Sequence, residues 1–202
     1  MSALAGRAGN SDTRERLLAA GRELIEEGGY TAAPVAAIAE RAGVAAGTLY
    51  RHFESKSELF LEVFRSVCAG EERAMFDAAE AVPSEAGAAG RLEAVLTTFA
   101  ERALQNPRLA WALLAEPVDP LVDAERLAYR ERYAELVATE LRAGIAAGEL
   151  PEQDARFTAA ALVGGCGEAL VGPLSPVASA RPAPDEVVRA IQSFVRRAIG
   201  AP

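Results

Sequence analysis

The 202-residue sequence predicts an all-α fold, which we expect to contain about nine helices. Apolar residues recur every three or four positions along most of the chain, as they do on the buried face of a helix. Prolines and glycines separate these segments, and no run of alternating β-branched or aromatic residues indicates a strand. Half of the residues are apolar, so the chain can bury a sizeable core in one large or two small domains.

The N-terminal helices are predicted from their ends. We expect residues 1–10 to form a flexible arm. The first helix is predicted to begin at Ser11 or Asp12, either of which can cap its N-terminus. It ends at Gly28-Gly29, because glycine is the usual residue just past a helix. Thr31 is then expected to cap a second helix.

A tight turn follows that second helix. The helix is predicted to end near Ala42, and Gly43 leads directly into a short helix that begins near Ala45. Glycine suits the turn because it adopts the left-handed conformation without strain. Two helices joined in this way form the helix-turn-helix pattern, whose second helix enters the major groove of DNA. Polar and cationic side chains lie close together on and after the short helix: Thr48, Tyr50, Arg51, His52 and Lys56.

Residues 11–65 resemble the TetR family of bacterial transcriptional repressors. The residues that match the family pattern are Thr31, Ile38-Ala39, Ala42-Gly43-Val44, Gly47-Thr48-Leu49-Tyr50, His52-Phe53 and Lys56. The resemblance implies a homodimer whose recognition helices enter successive major grooves of a double-stranded DNA operator. It also implies a C-terminal domain that binds a small-molecule effector and dimerises through its last two helices. Ala45 departs from the pattern, because the family usually has a capping Ser or Thr there, and its absence costs about 1 kcal/mol of helix stability.

Side-chain chemistry and the family resemblance together predict which residues contact DNA. Gly47 allows the helix backbone to approach the sugar-phosphate closely, and Thr48 offers a hydroxyl and a methyl to base edges. Arg51 can reach a guanine or a phosphate, whereas most of the other contacts only position the protein on the DNA. The predicted DNA-binding residues are Thr31, Ala45, Ala46, Gly47, Thr48, Tyr50, Arg51, His52 and Lys56.

The rest of the chain reads as a second helical domain. A connecting helix over residues 57–80 follows the helix-turn-helix domain of residues 11–56. The stretch 81–90 is rich in helix breakers and is the best boundary, so residues 81–202 form the effector-binding and dimerisation domain. Its helices are predicted at roughly 91–105, 107–116, 121–147, 153–171 and 184–199, with prolines and glycine between them.

Several residues of the second domain are candidates for an effector pocket, because ligand sites in helical bundles lie between helices. Trp111 is the strongest candidate, because a buried indole N–H needs a hydrogen-bond partner. Aromatic residues at helical spacing fit an ordinary core equally well, and Glu168 fits an ion pair as well as a ligand contact. The candidates are Phe99, Trp111, Leu114, Tyr129, Tyr133, Phe157 and Glu168.

No cofactor or metal site is expected. Asp119, Asp123 and Glu125 match no ligand spacing, and acids near the start of the predicted helix at 121 favour its dipole. The single histidine lies in the helix-turn-helix segment, and no phosphate loop or Cys-His arrangement is present. These absences disfavour an enzyme.

Small and apolar residues near the C-terminus predict a dimer interface. The run of small residues from 159 to 167 permits close approach of another helix, and the last helix carries an apolar stripe. Together they present too much apolar surface for a monomer, although intrachain packing remains the alternative. The predicted interface residues are Ala161, Gly164, Gly165, Val188, Ile191 and Val195.

The composition restricts where the protein is expected to act and what it is expected to bind. The sequence has no 18-residue apolar run and no signal peptide, and its two cysteines are far apart. We therefore expect a cytoplasmic bacterial protein with no membrane partner, associated with the nucleoid when bound to its operator. The net charge of −8 places any DNA contact on a local patch. The leading hypothesis is an effector-released repressor of a palindromic operator, and the alternative is a constitutive DNA-binding or assembly protein without an effector.

Overall fold

The computed structural model describes residues 2–179 and 181–201, with side chains from residue 11 onward. Within these ranges the chain forms nine α-helices and no strand, which confirms the all-α prediction. A single turn of 3-10 helix over Ser84–Ala86 precedes the fifth helix. The α-helices are α1 (Ser2–Gly28), α2 (Val35–Arg41), α3 (Ala46–Leu49), α4 (Lys56–Glu80), α5 (Gly87–Gln105), α6 (Pro107–Leu114), α7 (Pro120–Ala146), α8 (Ala155–Leu174) and α9 (Pro184–Ala198).

Helix α1 begins earlier than the sequence predicts. Its backbone is helical from Ser2, so residues 2–10 continue the helix instead of preceding a cap at Ser11 or Asp12. The Ser11 hydroxyl donates to the Glu15 carboxylate at 3.0 Å, a contact within the helix. The flexibility of the predicted arm, residues 1–10, stays a prediction. The helix ends as expected, with Gly29 at φ 84°.

Helix α4 joins the two halves of the molecule. The Ser55 hydroxyl caps it by accepting the Glu58 N–H at 3.1 Å. Its first half buries an apolar stripe against α1, and Gly21 of α1 allows a close approach, since a Cβ there would lie 2.6 Å from Leu59. This packing builds the first hydrophobic core from α1, α2, α3 and the first half of α4.

A second core lies among α5, α7, α8 and α9. Helix α6 bridges the two cores, because Leu109 and Ala112 are buried in the first and Ala110 in the second. The second half of the molecule therefore contributes directly to the core that supports α1 to α3. Helix α6 therefore packs against both halves of the molecule.

Two helix ends in the second half differ from the sequence prediction. Helix α5 begins at Gly87 because the Glu149 carboxylate accepts the Ala88 N–H at 2.6 Å. Glu149 is distant in sequence, so no local pattern indicates this cap. Helix α8 continues through Pro173 to Leu174, although proline usually ends a helix.

Candidate nucleic-acid interface and ligand cavity

The turn between α2 and α3 has helix-turn-helix geometry. Gly43 adopts φ 66°, a conformation that side chains with a Cβ rarely adopt. The guanidinium of Arg16 on α1 donates to the carbonyls of Ala42 and Gly43, which holds the turn against the first helix. The Val44 N–H donates to the Ala39 carbonyl at 2.9 Å. The predicted turn is therefore present and anchored to α1.

Helix α3 is short, and a tighter turn extends it. The N–H groups of Arg51 and His52 donate to the carbonyls three residues earlier, at 3.1 and 2.9 Å. Leu49 and Phe53 are almost completely buried and fix α3 on the first core. These two anchors orient the residues between them, so the segment 50–52 presents its side chains to one surface.

The polar side chains of this segment face outward. Tyr50 is 60% exposed, Arg51 is exposed, and Thr48 and His52 are half-buried. Across the part of the chain whose side chains are described, none of these four side chains forms a hydrogen bond or an ion pair, whereas Arg14, Arg16, Arg22 and Arg41 are all paired. The surface defined by residues 45–52 therefore carries free donors. We call it the α3 surface.

Two small residues keep the α3 surface open. Ala45 occupies the N-cap position with no side-chain hydrogen bond, as the sequence indicates. Gly47 is exposed, and a Cβ built on it would meet nothing within 4 Å among the described residues. Internal packing therefore does not require glycine at position 47. Ala46 is also exposed, so the backbone at the start of α3 is accessible from outside.

Thr31 has a different role from the predicted one. Pro34, not Thr31, is the N-cap residue of α2, and it makes no side-chain cap. The Thr31 hydroxyl instead donates to the carboxylate of Glu116 at 3.1 Å. Sequence reasoning missed Glu116 because its distance in the chain hides the contact. The expected capping by Thr31 is wrong.

Lys56 also makes an internal contact. Its ammonium donates to the Tyr30 carbonyl at 2.6 Å and lies 3.7 Å from the centre of the Tyr30 ring. Burial lowers the pKa of Lys56, and the nearby Glu116 carboxylate opposes that shift. Lys56 therefore does not extend freely into solvent, although an ammonium has three hydrogens to donate.

A cavity of about 560 Å³ lies between α4, α5, α6, α7 and α8. Four of the predicted pocket residues line it: Phe99, Leu114, Tyr129 and Tyr133. Residues that the sequence analysis did not single out complete the walls, including Phe64, Val67, Met75, Leu92, Leu96 and Val163. The walls are mainly apolar and aromatic, as in sites that bind organic ligands.

Three predicted pocket residues do not line the cavity. Trp111 packs against the second core, so the alternative that the sequence left open applies to it. Phe157 is 73% exposed on the outer side of α8. Glu168 is exposed on the same helix. A helical repeat shows that a residue belongs to a face, but α8 is apolar on several faces, so the repeat does not identify which face meets the cavity.

Both cysteines lie in the cavity wall. Burial raises the pKa of Cys68 to about 12 and that of Cys166 to about 11. The Tyr133 hydroxyl donates to the Cys68 carbonyl at 3.4 Å, and burial also raises the pKa of Tyr133. The two thiols and the Tyr133 phenol are therefore neutral at physiological pH. Two protonated thiols are poor nucleophiles.

Charged groups also line the cavity, and most of those in the described residues are paired. Arg102 bonds to Glu71 at 2.5 and 2.9 Å, and Arg91 bonds to Glu140. Arg130 is exposed, lines the cavity, and has no partner among the described side chains. The cavity thus combines an apolar interior with one uncommitted guanidinium at its edge. Arg22 of α1 also lines it, so the cavity reaches the N-terminal helices.

Comparison with known proteins identifies the family. Residues 17–63 match the model of bacterial regulatory proteins of the tetR family, and residues 85–170 match that of the Tetracyclin repressor-like C-terminal domain. The HTH-type transcriptional repressor KstR2 of Rhodococcus jostii (strain RHA1) is 33% identical over 147 residues, which cover 69% of each chain. The chain belongs to the TetR family. It is therefore a transcriptional regulator and not an enzyme.

One further relative and two solved structures are also similar to this chain. The HTH-type transcriptional repressor KstR of Mycobacterium tuberculosis (strain ATCC 25618 / H37Rv) is 31% identical over 145 residues, 71% of this chain and 62% of that protein. The fatty acid degradation regulator FadR from Bacillus halodurans has the same fold, with a TM-score of 0.75, 18% identity and coverage of 90% of this chain and 93% of that one. FadR from Bacillus subtilis, solved in complex with stearoyl-CoA, has a TM-score of 0.73 at 21% identity, over 93% and 98% of the two chains.

Helix α8 of this TetR-family chain has an exposed outer face of mainly small and apolar residues, on which Glu168 also lies. The predicted interface residues Ala161, Gly164 and Gly165 are exposed on it, and Val188 of α9 is half-buried. Ile191 and Val195 are 3% and 0% exposed, so they belong to the core of the single chain. The prediction that these two meet a partner is wrong, because the apolar stripe of α9 points inward.

Helix α8 also has the length and composition of a membrane span. Among the described helices α8 alone meets that criterion, with a mean hydropathy of 1.4 in its most apolar window and 28% of the window buried. No such segment is expected from the sequence, which has no 18-residue apolar run. Length and composition alone do not distinguish a span from a helix that another protein surface covers.

Proposed function

We propose that this regulator is a homodimeric repressor, which binds a palindromic operator through the α3 surface and is released by a small molecule in the cavity. The single observation that carries the proposal is the position of the cavity. It lies against α4, which joins the two halves, and it reaches Arg22 of α1. A ligand there contacts both the effector half and the N-terminal helices.

The operator contact uses the free donors of the α3 surface. Tyr50 and His52 donate to phosphate oxygens, while Thr48 and Arg51 reach base edges. Gly47 supports this role, because a glycine that internal packing does not require is explained by an approach from outside. In this arrangement residues 11–56 form the DNA-binding domain, residues 57–80 the connector, and residues 81–202 the effector and dimerisation domain.

The effector that fits best is amphipathic, with a long acyl chain and an anionic head, such as a fatty acyl-CoA. The apolar walls, with their neutral thiols and phenols, suit a hydrocarbon chain, because unpaired polar groups are costly to bury there. Arg130 is positioned to receive the anionic head at the edge. The stearoyl-CoA complex of the Bacillus subtilis regulator, which shares this fold, supports the same ligand class.

Dimerisation covers the outer face of α8. An exposed apolar patch of this kind marks an interaction surface, and the small residues Ala161, Gly164 and Gly165 permit close approach of a second α8. A two-fold dimer places two α3 surfaces on half-sites about one DNA turn, or 34–36 Å, apart. Ligand binding repositions α4 and changes that spacing. The equilibrium between the two states shifts only as far as the ligand's affinity for them differs. The protein then acts in the cytoplasm, at its operator.

The proposal is tested by selecting an operator from a pool of random DNA duplexes. The purified protein should retain a palindrome and protect it from nuclease, and stearoyl-CoA at micromolar concentration should release it. Free stearate and CoA serve as controls for the two parts of the ligand. Failure to enrich any duplex at low ionic strength would refute the DNA-binding proposal. Retention of the operator at saturating ligand would favour the constitutive alternative.

A further inference from the structure

Glu116 joins the effector half to the loop before α2. It lies in the link between α6 and α7 and is 9% exposed. Its carboxylate accepts the Tyr30 N–H at 2.9 Å, the Thr31 N–H at 3.3 Å and the Thr31 hydroxyl at 3.1 Å. Gly29 makes room for it, because a Cβ there would lie 2.9 Å from a carboxylate oxygen.

The loop that Glu116 holds supports part of the candidate DNA interface. The Tyr30 carbonyl accepts the Lys56 ammonium, and the Tyr30 ring packs edge-on against Phe60 with centroids 4.9 Å apart. Tyr30 thus connects the Glu116 carboxylate to the first turn of α4. Thr31 and Lys56, two predicted DNA contacts, are therefore both placed by the contacts of a residue outside the N-terminal domain.

Arg126 of α7 holds the segment that carries Glu116. Its guanidinium donates to the carbonyls of Ala112 and Leu113 at 2.8 Å and to the carbonyl of Glu116 at 2.7 Å. It also pairs with Asp123 at 2.7 Å. The side chain of Arg126 is only 11% exposed, and it lines the cavity.

We propose that Glu116 is a positioning residue for operator binding and that Arg126 makes its position depend on what occupies the cavity. This inference rests on the proposed function. It assigns the coupling between the cavity and the operator-binding surface to Glu116 and Arg126. Carbonyls at the end of a helix need donors, and Arg126 supplies them at the end of α6. A ligand whose carbonyl or anionic group bonds to Arg126 competes for the same donors.

The sequence of events follows from these contacts. Ligand binding draws the Arg126 guanidinium from the carbonyls of Leu113 and Glu116. The end of α6 then loosens, and the Glu116 carboxylate moves away from the Tyr30 and Thr31 amides. The loop before α2 and the first turn of α4 lose their common support, so the α3 surface is no longer held for the operator. Such coupling requires that both sites bias one two-state element, here the link between α6 and α7.

The first experiment needs no ligand. Glu116→Gln keeps the shape of the side chain but removes the charge and offers an amide N–H where two N–H donors already point. In the full-length protein we expect a loss of operator affinity of about tenfold, and amide exchange at Tyr30 and Thr31 faster by about tenfold or more. Glu149→Gln is the matched control, since Glu149 holds the Ala88 amide in the same way at the far end of α5. It should leave operator affinity unchanged.

The second experiment follows the same amides in the wild-type protein, which removes any dependence on a variant that folds poorly. Saturating stearoyl-CoA should accelerate exchange at Tyr30 and Thr31 but not at Ala88. Arg126→Lys provides fewer donors to the carbonyls and should reduce the ligand-induced change in operator affinity to less than a third of its wild-type size. Arg142→Lys makes the same change on the same helix, at an arginine that pairs with Glu135 outside the cavity, and it should preserve the response.

The outcomes separate this inference from the proposed function. Wild-type protein that binds the operator and releases it with ligand, while Glu116→Gln and Arg126→Lys behave like their controls, overturns the inference alone. Wild-type protein that selects no duplex overturns both. If stearoyl-CoA does not bind, the effector assignment fails, but Glu116→Gln still decides the positioning role because it is measured without ligand.

Discussion

The Lys56 ammonium lies 3.7 Å from the centre of the Tyr30 ring and donates to the Tyr30 carbonyl. This pair fixes the first turn of α4 against the loop before α2. A lysine that the family resemblance assigns to DNA is thus committed in part to the protein itself. The remaining hydrogens of the ammonium are available to a phosphate, so the two roles are separable by experiment.

Replacing Lys56 with methionine should weaken operator binding and also lower stability. If the ammonium touches a phosphate, the slope of log K against log salt should flatten by about one unit. Loss of the cation–π contact should reduce the unfolding free energy by roughly 1 kcal/mol. Arg65→Met, on the same helix but paired with Glu125, is the control for the slope. A slope equal to wild type, with only stability reduced, would assign Lys56 a purely structural role.

Tyr50→Phe should weaken operator binding about tenfold, because it removes one hydrogen bond to a charged phosphate and little else. Tyr50 is 60% exposed, so the unfolding free energy should change by less than about 0.5 kcal/mol. Fluorescence anisotropy with the selected operator measures the first quantity, and urea titration the second. Wild-type affinity in this variant would remove Tyr50 from the interface.

Val163→Phe should fill part of the cavity. Val163 is half-buried on α8 and lines the cavity. The larger ring should lower ligand affinity at least about tenfold, while operator binding without ligand stays near wild type. Val177→Phe introduces the same side chain at an 87% exposed position outside the cavity and should change neither. Unaltered calorimetric affinity for stearoyl-CoA in Val163→Phe would place the ligand elsewhere.

Ala161→Arg should yield monomers. Ala161 is exposed on the apolar face of α8, where an arginine would leave a charge buried without a partner in a close helix pair. Sedimentation equilibrium should show the mass of one chain, and operator affinity should fall with it. Ala146→Arg, exposed at the end of α7, provides a control in which the dimer persists. A dimeric Ala161→Arg would exclude α8 as the interface.

Stability should fall at alkaline pH because of the buried thiols. The folded-state pKa of Cys68, about 12, and that of Cys166, about 11, both exceed the ordinary value of 9.0. The unfolded chain therefore loses these protons first, so the stabilisation is complete below pH 9 and disappears as pH rises through the folded values. Over that interval each thiol lowers the unfolding free energy by up to about 1.4 kcal/mol per pH unit. Urea titrations at pH 8 and 10 should show a smaller decrease for the Cys68→Ala, Cys166→Ala variant; an equal decrease would contradict the assignment.

The sequence predicts the parts of this molecule that local chemistry determines. The turn at Gly43, the buried Leu49 and Phe53 and the start of α4 near Lys56 all follow from patterns within a few residues. The cap assigned to Thr31 is wrong because Glu116, far along the chain, competes for its hydroxyl. In the same way, Glu149 sets the start of α5 from a distance.

The sequence predicts only some of the residues that line the cavity, because periodicity does not always identify which side of a helix is buried. Phe99 lies on α5, whose apolar residues fall on one buried side, so its periodicity indicates the interior. Phe157 lies on α8, which is apolar around most of its circumference, and there periodicity does not select a side. Ile191 and Val195 belong to a clear stripe, but a stripe does not reveal whether it faces its own chain or another.

Helix α8 separates two surfaces by its own thickness. Val163, Cys166 and Gly167 line the cavity on one side, while Ala161, Gly164 and Gly165 are exposed on the other. With a dimer formed across that outer side, any ligand that shifts α8 also changes the free energy of subunit association. By linkage, the apparent affinity for the ligand would then vary with protein concentration, so titrations at nanomolar and micromolar protein would yield different dissociation constants.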